Sequence, residues 1–263
     1  MNIFITGASS GIGYALAHEY AKRYKSTKSN LGLVGRRSEY LQNLANELKN
    51  KYQINCAIYP LDVRNATALD AAAQDFISRY GAPNIVIANA GVSRGTLTED
   101  KEDIKAFQAI FDINVMGMMH TFAPFIAAMK LTKQGQLVGV ASVAGIRGIP
   151  GSGAYSASKA AVISYCESLR TEMQHYNIAV STIAPGYIRT PMTELNQYKM
   201  PFLMDANVFA HQFVNAVEAK VRFKIIPWQM GWVARLMRLV PPFLWDFAMK
   251  KAPHKKRLDW DWL

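Results

Sequence analysis

The chain has 263 residues, enough for one large domain with a deep core. Half are apolar, 19% are charged and Gly plus Pro number 28, which excludes collagen-like, low-complexity and disordered chains. Thirty Lys and Arg against 19 Asp and Glu leave a net charge of +11, which suits nucleic acid, an anionic membrane or a phosphorylated ligand without choosing among them.

Short β-branched runs alternate with longer helical stretches. Strands are expected near 2–6, 31–35, 54–59, 84–88, 136–141, 179–184 and 222–226, and helices near 12–25, 38–51, 66–80, 102–131, 154–176 and 206–219. This order requires right-handed crossovers and predicts a single-domain α/β fold over residues 1–226, a doubly wound parallel sheet of about seven strands. Past Ile226 the character changes. All five tryptophans (Trp228, Trp232, Trp245, Trp260, Trp262) lie there, and residues 221–263 hold nine Lys/Arg against three Asp. Residues 227–263 read as a C-terminal amphipathic helical extension. Trp228, Trp232, Leu236, Leu239 and Val240 recur on one face beside Arg235 and Arg238. Pro241-Pro242 ends that helix, and Phe243 to Met249 begin another, followed by Lys250, Lys251, Lys255, Lys256 and Arg257. The pattern suits a helix lying on an anionic membrane and, equally, a flap over its own core or a partner subunit.

Cys56 and Cys166 are too few for a disulfide framework, no signal peptide is visible, and no uninterrupted apolar run reaches the length of a bilayer span. A cytoplasmic protein is expected, soluble or at most attached to a membrane surface.

The first strand runs into Thr6-Gly7-Ala8-Ser9-Ser10-Gly11-Ile12-Gly13, which opens a helix. Small residues there let backbone approach a pyrophosphate, and a helix N-terminus offers free N–H groups, so Gly7, Ser9, Ser10, Gly11, Ile12 and Gly13 are candidate cofactor contacts. An ordinary glycine turn is the competing reading, and the absence of a Gly-Lys-Ser/Thr close argues against a P-loop. The second strand ends in Gly35-Arg36-Arg37, with no carboxylate to accept from a ribose 2′-hydroxyl. Arginine there pairs with a 2′-phosphate, so NADP(H) is expected over NAD(H), with Arg36 as main contact and Arg37 in support, unless both are merely solvated.

Asn89-Ala90-Gly91 ends the fourth strand and Ser142 the fifth, where this architecture places ligands. Tyr155 and Lys159 follow, four apart on one helix face. A phenol with a pKa near 10 is a poor acid or base at neutral pH, and a neighbouring ammonium lowers it. The phenol can then protonate a developing alkoxide during ketone reduction and deprotonate an alcohol in reverse, while Ser142 polarises the carbonyl. Alone, such a pair is also compatible with an ordinary packed helix face.

Together with Asn114 and Pro185-Gly186-Tyr187-Ile188-Arg189-Thr190, these motifs make the chain resemble the short-chain dehydrogenase/reductase family over residues 1 to about 226. The resemblance implies a Rossmann-type fold and an NAD(P)-dependent oxidoreductase acting on CH–OH and C=O groups. It casts Tyr155 as the acid/base and Lys159 as the lysine that binds the nicotinamide ribose and lowers the phenol. Ser142 resembles the carbonyl donor, and Asn114 the residue that holds a relay water. Cofactor contacts fall on Asp62 and Val63 at the adenine, on Asn89, Ala90 and Gly91 along the adenosine side, and on Pro185, Gly186, Ile188 and Thr190 near the nicotinamide. The substrate end would form from residues 92–96, 143–153 and 187–205, an apolar, methionine-rich set with Arg94, Arg147 and Glu194 as charged exceptions. That bias implies a hydrophobic, lipid-like or steroid-like ketone or alcohol. The helices at 102–131 and 154–176 imply a homodimer or homotetramer.

A non-catalytic NADP-binding regulatory or membrane-surface module is the main alternative, opposed by the complete Ser142, Tyr155 and Lys159 set. Nucleic-acid binding lacks any recognisable reading motif. The five histidines are dispersed and form no HExxH, so no metal is expected.

Overall fold

In the computed structural model, which describes residues 1–196, 198–257 and 260, strand and helix alternate from the start. The first half comprises β1 (Asn2–Thr6), α1 (Gly11–Arg23), β2 (Asn30–Gly35), α2 (Ser38–Tyr52), β3 (Asn55–Pro60), α3 (Ala66–Tyr80) and β4 (Ile85–Ala88). The second comprises α4 (Asp103–Phe111), α5 (Gly117–Thr132), β5 (Gly135–Val140), α6 (Gly153–Met173) and β6 (Ile178–Pro185). Next come β7 (Ile188–Arg189), α7 (Pro191–Glu194), β8 (Met204–Asp205), α8 (Ala206–Glu218), β9 (Phe223–Ile226), α9 (Trp228–Leu239) and α10 (Pro242–Met249).

The main sheet is parallel throughout, in the order β3-β2-β1-β4-β5-β6-β9. Successive connections run one way from β1 to β3 and the other way from β4 onward. The loops leaving β1 and β4 therefore part, and a crevice opens at their carboxyl ends. Central strands are apolar at consecutive positions because helices cover both faces. Ile3, Ile5, Leu16, Leu33, Phe209 and Phe213 form the core on one face, and Phe4, Phe76, Phe122, Phe125 and Leu137 on the other. Phe4 meets Phe125 at a ring-centroid distance of 4.7 Å and Phe76 edge-on at 5.5 Å. Gly32 makes room for it, since a Cβ there would lie 2.4 Å from the Phe4 ring.

The structure departs from the sequence expectations in two places. The helix expected over 102–131 is interrupted by a π turn at Asp112–Met116, between α4 and α5. By length and composition alone Asp103–Thr132 could cross a membrane, although Asp112, Asn114 and His120 interrupt its apolar run, and half of its most apolar 18-residue window is buried, with Ile110, Phe122, Phe125 and Met129 in the core. Two further strands, β7 and β8, pair with each other outside the main sheet and are too short to show a period in sequence.

The tail forms both expected helices. α9 buries Met230 and Ala234 in a small cluster with Val143, to which Ile146 and Tyr187 add. A Cβ on Gly186 would lie 2.8 Å from Met230 Cγ, so the glycine lets the helix approach. Trp262, with residues 258, 259, 261 and 263, lies outside the described residues.

Candidate active site

The crevice begins where β1 meets its glycine turn. Gly7 has φ +68, and a Cβ there would lie 2.9 Å from Ala90 Cα; a Cβ on Gly13 would lie 2.1 Å from the Gly7 carbonyl oxygen. The turn thus collapses onto the end of β4. Asn89 Nδ2 donates to the carbonyls of Thr6 (2.9 Å) and Gly7 (3.3 Å), and Thr6 Oγ1 accepts from the backbone N–H groups of Asn89 and Ala90, each at 3.2 Å. Ser10 caps α1 without a side-chain cap bond, and its Oγ accepts from Arg37 at 2.9 Å instead. The first-turn N–H groups of α1 are left to an anion.

At the outer end Arg36 is exposed, and Arg37 is braced over the Tyr40 ring at 4.2 Å. Asp62 receives the Arg64 guanidinium at 2.9 Å. Burial would raise its carboxyl, but hydrogen bonds from Arg64 and the nearby charges of Arg64 and Arg36 hold it below its ordinary value.

At the inner end Ser142 Oγ accepts from Ala144 N–H at 3.1 Å, capping a 3-10 turn at Val143–Gly145. Lys159 is buried one helical turn from Tyr155, and its Nζ donates to the Val140 carbonyl at 2.9 Å, 5.9 Å from the Tyr155 ring centroid. Burial pushes the Lys159 amine down to about 8. Burial also raises the Tyr155 phenol above its ordinary value, opposed by a hydrogen bond with Ser142. The expected lowering of the phenol by Lys159 does not emerge here: desolvation dominates both groups and drives them in opposite directions.

Asn114 sits in the π turn, where the extra residue per turn swings it inward. Its Oδ1 accepts from Val92 N–H at 2.8 Å, and its Nδ2 donates to Val92 O and Ser158 Oγ, both at 3.0 Å. A Cβ on Gly91 would come within 3.2 Å of Asn114 Oδ1 and 3.3 Å of Lys159 Nζ. Asn114 thus pins the loop that runs past the ammonium. On the opposite wall Ile188 is buried, the Gly186 N–H donates to Ile226 O at 2.8 Å, and Thr190 caps α7 in a box with Thr193.

One cleft of about 290 Å³ joins these parts. Every site residue expected from the sequence lines it except Gly13, packed beneath the turn, and Asn114, behind the loop. Gly35, Leu61, Val140 and Ala141 line it too. They flank the motif residues at strand ends and carry no chemistry of their own to signal them. A nicotinamide dinucleotide fits this arrangement: a side-chain-free turn at a helix N-terminus, cations at one end, and a phenol, hydroxyl and ammonium at the other.

The substrate end differs more from expectation. Val143 and Ile146 turn towards α9. Arg147 donates to the carbonyls of Met237 and Val240 and lies over Trp245 at 4.6 Å, while Arg94 pairs with Asp103 at 3.0 Å. Both arginines thus brace other segments. Tyr187 and Tyr198 meet edge-on at 6.2 Å. Lys255, which the sequence places only in a basic run, reaches Ser93 Oγ at 2.7 Å and lies 5.6 Å from the Tyr155 ring centroid. Among the described residues no group of His, Cys, Asp and Glu could hold a metal ion.

The family described as short chain dehydrogenase matches residues 1–200. An uncharacterized oxidoreductase of Myxococcus xanthus is 34% identical over 250 residues, 94% of this chain and 95% of its own length. The 11-beta-hydroxysteroid dehydrogenase-like 4A of Arabidopsis thaliana is 36% identical over 191 residues, covering 73% of this chain and 62% of that protein. The structure of L-sorbose reductase from Gluconobacter frateurii, complexed with NADPH and L-sorbose, matches with a TM-score of 0.73 at 26% identity, over 82% of this chain and 88% of that one.

The buried lysine has a stability consequence. Its folded pKa of about 8 lies below the ordinary 10.5, so the unfolded chain binds more protons between those values and stability rises with pH across that window. At pH 7, Lys159→Met is expected to raise the unfolding free energy of nucleotide-free protein by on the order of 2–3 kcal/mol, a gain that fades as the pH approaches 10.5. Urea denaturation across that range checks this, and a variant less stable at pH 7 would contradict it.

Proposed function

The chain belongs to the short-chain dehydrogenase family and is an oxidoreductase; from that premise we propose that it is an NADP(H)-dependent carbonyl reductase, or alcohol dehydrogenase in reverse, for hydrophobic substrates. The observation that carries this reading is the single cleft running from Arg36 and Arg37 to Ser142, Tyr155 and Lys159. When bound, the nicotinamide dinucleotide supplies or takes the hydride.

The glycine turn and the N-terminus of α1 receive the pyrophosphate, and Arg36 pairs with a 2′-phosphate. Arg37, held on Ser10, stiffens that end. Ser142 donates to the substrate carbonyl, and Tyr155 gives its proton to the oxygen as negative charge develops there. A phenol raised by burial releases that proton reluctantly, so positive charge must offset the desolvation. Lys159 supplies it in the ammonium form, favoured below about pH 8. Asn114 is a positioning residue that fixes Val92 beside this group. Met192 lines the cleft, and Tyr198, which meets Tyr187, lies near enough to Tyr155 for the two phenols to interact, which supports an apolar ketone or alcohol.

The exposed surface supports two further parts of the reading. Ile104, Phe107, Met116 and Met119 are exposed along α4–α5 and suit pairing of copies into a homodimer or homotetramer. On the tail, Trp228, Trp232, Leu236, Leu239, Phe243 and Phe247 are exposed, the last 82%, beside Arg235, Arg238, Lys250 and Lys251. That face suits an anionic bilayer surface.

With NADPH and a panel of apolar ketones, absorbance assays should show turnover by the wild type and a loss of about 100-fold or more in Tyr155→Phe. Arg36→Asp should shift preference towards NADH. Undiminished activity in the first variant, or no shift in the second, would remove those roles. Separately, Trp232→Glu with Leu239→Glu, both at exposed sites, should abolish cosedimentation with phosphatidylserine vesicles while leaving reduction of soluble ketones intact; equal partitioning would remove the membrane assignment.

A further inference from the structure

After α10 the chain returns across the molecule and lies over the substrate end of the cleft. The Gly95 N–H donates to Lys256 O at 3.0 Å, and Arg257 pairs with Asp103 at 3.0 Å and also with Asp100. Asp103, only 3% exposed, takes Arg94 at 3.0 Å as well, so one buried carboxylate ties the loop after β4 to the returning strap. Two glycines admit the strap. A Cβ on Gly95 would lie 2.0 Å from Lys255 O, and one on Gly151, at φ +68, would lie 2.7 Å from His254 Cβ. This seat does not depend on the Lys255 side chain.

What Lys255 adds is a second ammonium at the catalytic phenol. Its Nζ lies 5.6 Å from the Tyr155 ring centroid, against 5.9 Å for Lys159. One of its three N–H donors goes to Ser93 Oγ at 2.7 Å, and among the described residues no carboxylate pairs with it. Burial pushes the amine down to about 8, as it does for Lys159. A desolvated ammonium in a pocket is costly unless an anion completes it, and the described residues supply none.

We propose that Lys255 is a specificity-determining residue that binds the carboxylate of an apolar oxo acid while its ketone lies against Ser142 and Tyr155. This deepens the reductase reading above and rests on it. The ketone carbon gains a hydride from NADPH, its oxygen gains the Tyr155 proton, and the carboxylate passes unchanged into the hydroxy acid.

The test compares 2-oxooctanoate and 4-oxononanoate with their methyl esters, using the full chain as wild type, Lys255→Gln and Lys255→Arg. NADPH oxidation gives kcat and KM, and calorimetric titration in the presence of NADP+ gives affinity independently of turnover. In the wild type at least one acid should be preferred to its ester. Lys255→Gln should raise KM and weaken binding of that acid by about tenfold or more relative to its ester, any loss of kcat from removing the second ammonium falling on acid and ester alike, and Lys255→Arg should keep the preference. An unchanged acid-to-ester ratio in Lys255→Gln overturns the proposal, as does faster turnover of acid and ester alike, which would make the strap a plug. Binding of the acid through Lys255 with no turnover of any probe would sink the reductase reading and leave the carboxylate site standing.

Discussion

The contact between the glycine turn and the end of β4 sets the geometry of everything around it. Gly13 lies so close to the Gly7 carbonyl, and Gly7 so close to Ala90, that a side chain on either would push the turn off the strand. Asn89 holds the closed form by donating to both turn carbonyls. From there rigidity passes along a short run of chain: Gly91 lies against Asn114 and Lys159, Asn114 binds both backbone groups of Val92, and Lys159 hangs from Val140 beside Tyr155. The end suited to phosphate and the end suited to proton transfer are therefore held in one frame, at the crevice that the strand order creates.

Electrostatics gives that frame its poise. Lys159 and Tyr155 are pushed in opposite directions by the same cause, loss of water. Each group is then unusually responsive to whatever charge enters the cleft. The fold bears a cost for keeping an ammonium on a backbone carbonyl without a carboxylate, a stability sacrifice of the kind found at functional sites. The second ammonium, on Lys255, repeats the pattern from the other end of the chain.

Much of this was legible in the sequence. Consecutive apolar residues such as Ile3-Phe4-Ile5 and Ile85-Val86-Ile87 announce central strands covered on both faces, and all seven strands of the main sheet overlap the stretches expected for them. The glycine turn, Arg36, Ser142, Tyr155 and Lys159 combine distinctive chemistry with fixed spacing, so they could be named, and the structure lines one cleft with them. Three things were hidden. A π turn leaves apolar periodicity almost unchanged, so nothing in 102–131 betrays the insertion that aims Asn114 inward. Val143 and Ile146 look like pocket residues until α9 covers them. The strap is the clearest case: its contacts with Ser93, Gly95 and Asp103 span more than 150 residues, and a basic run reads the same whether it faces lipid or a catalytic tyrosine.

The central claim is that Tyr155 carries the proton and that the Lys159 charge sets its affinity. Ultraviolet difference titration, subtracting Tyr155→Phe to isolate one phenol among twelve, reads it directly with NADP+ present. The Tyr155 phenolate should form at a pH at least about one unit lower in Lys159→Arg, whose guanidinium stays charged throughout the titration, than in Lys159→Met. Coincident midpoints in the two proteins would contradict the account.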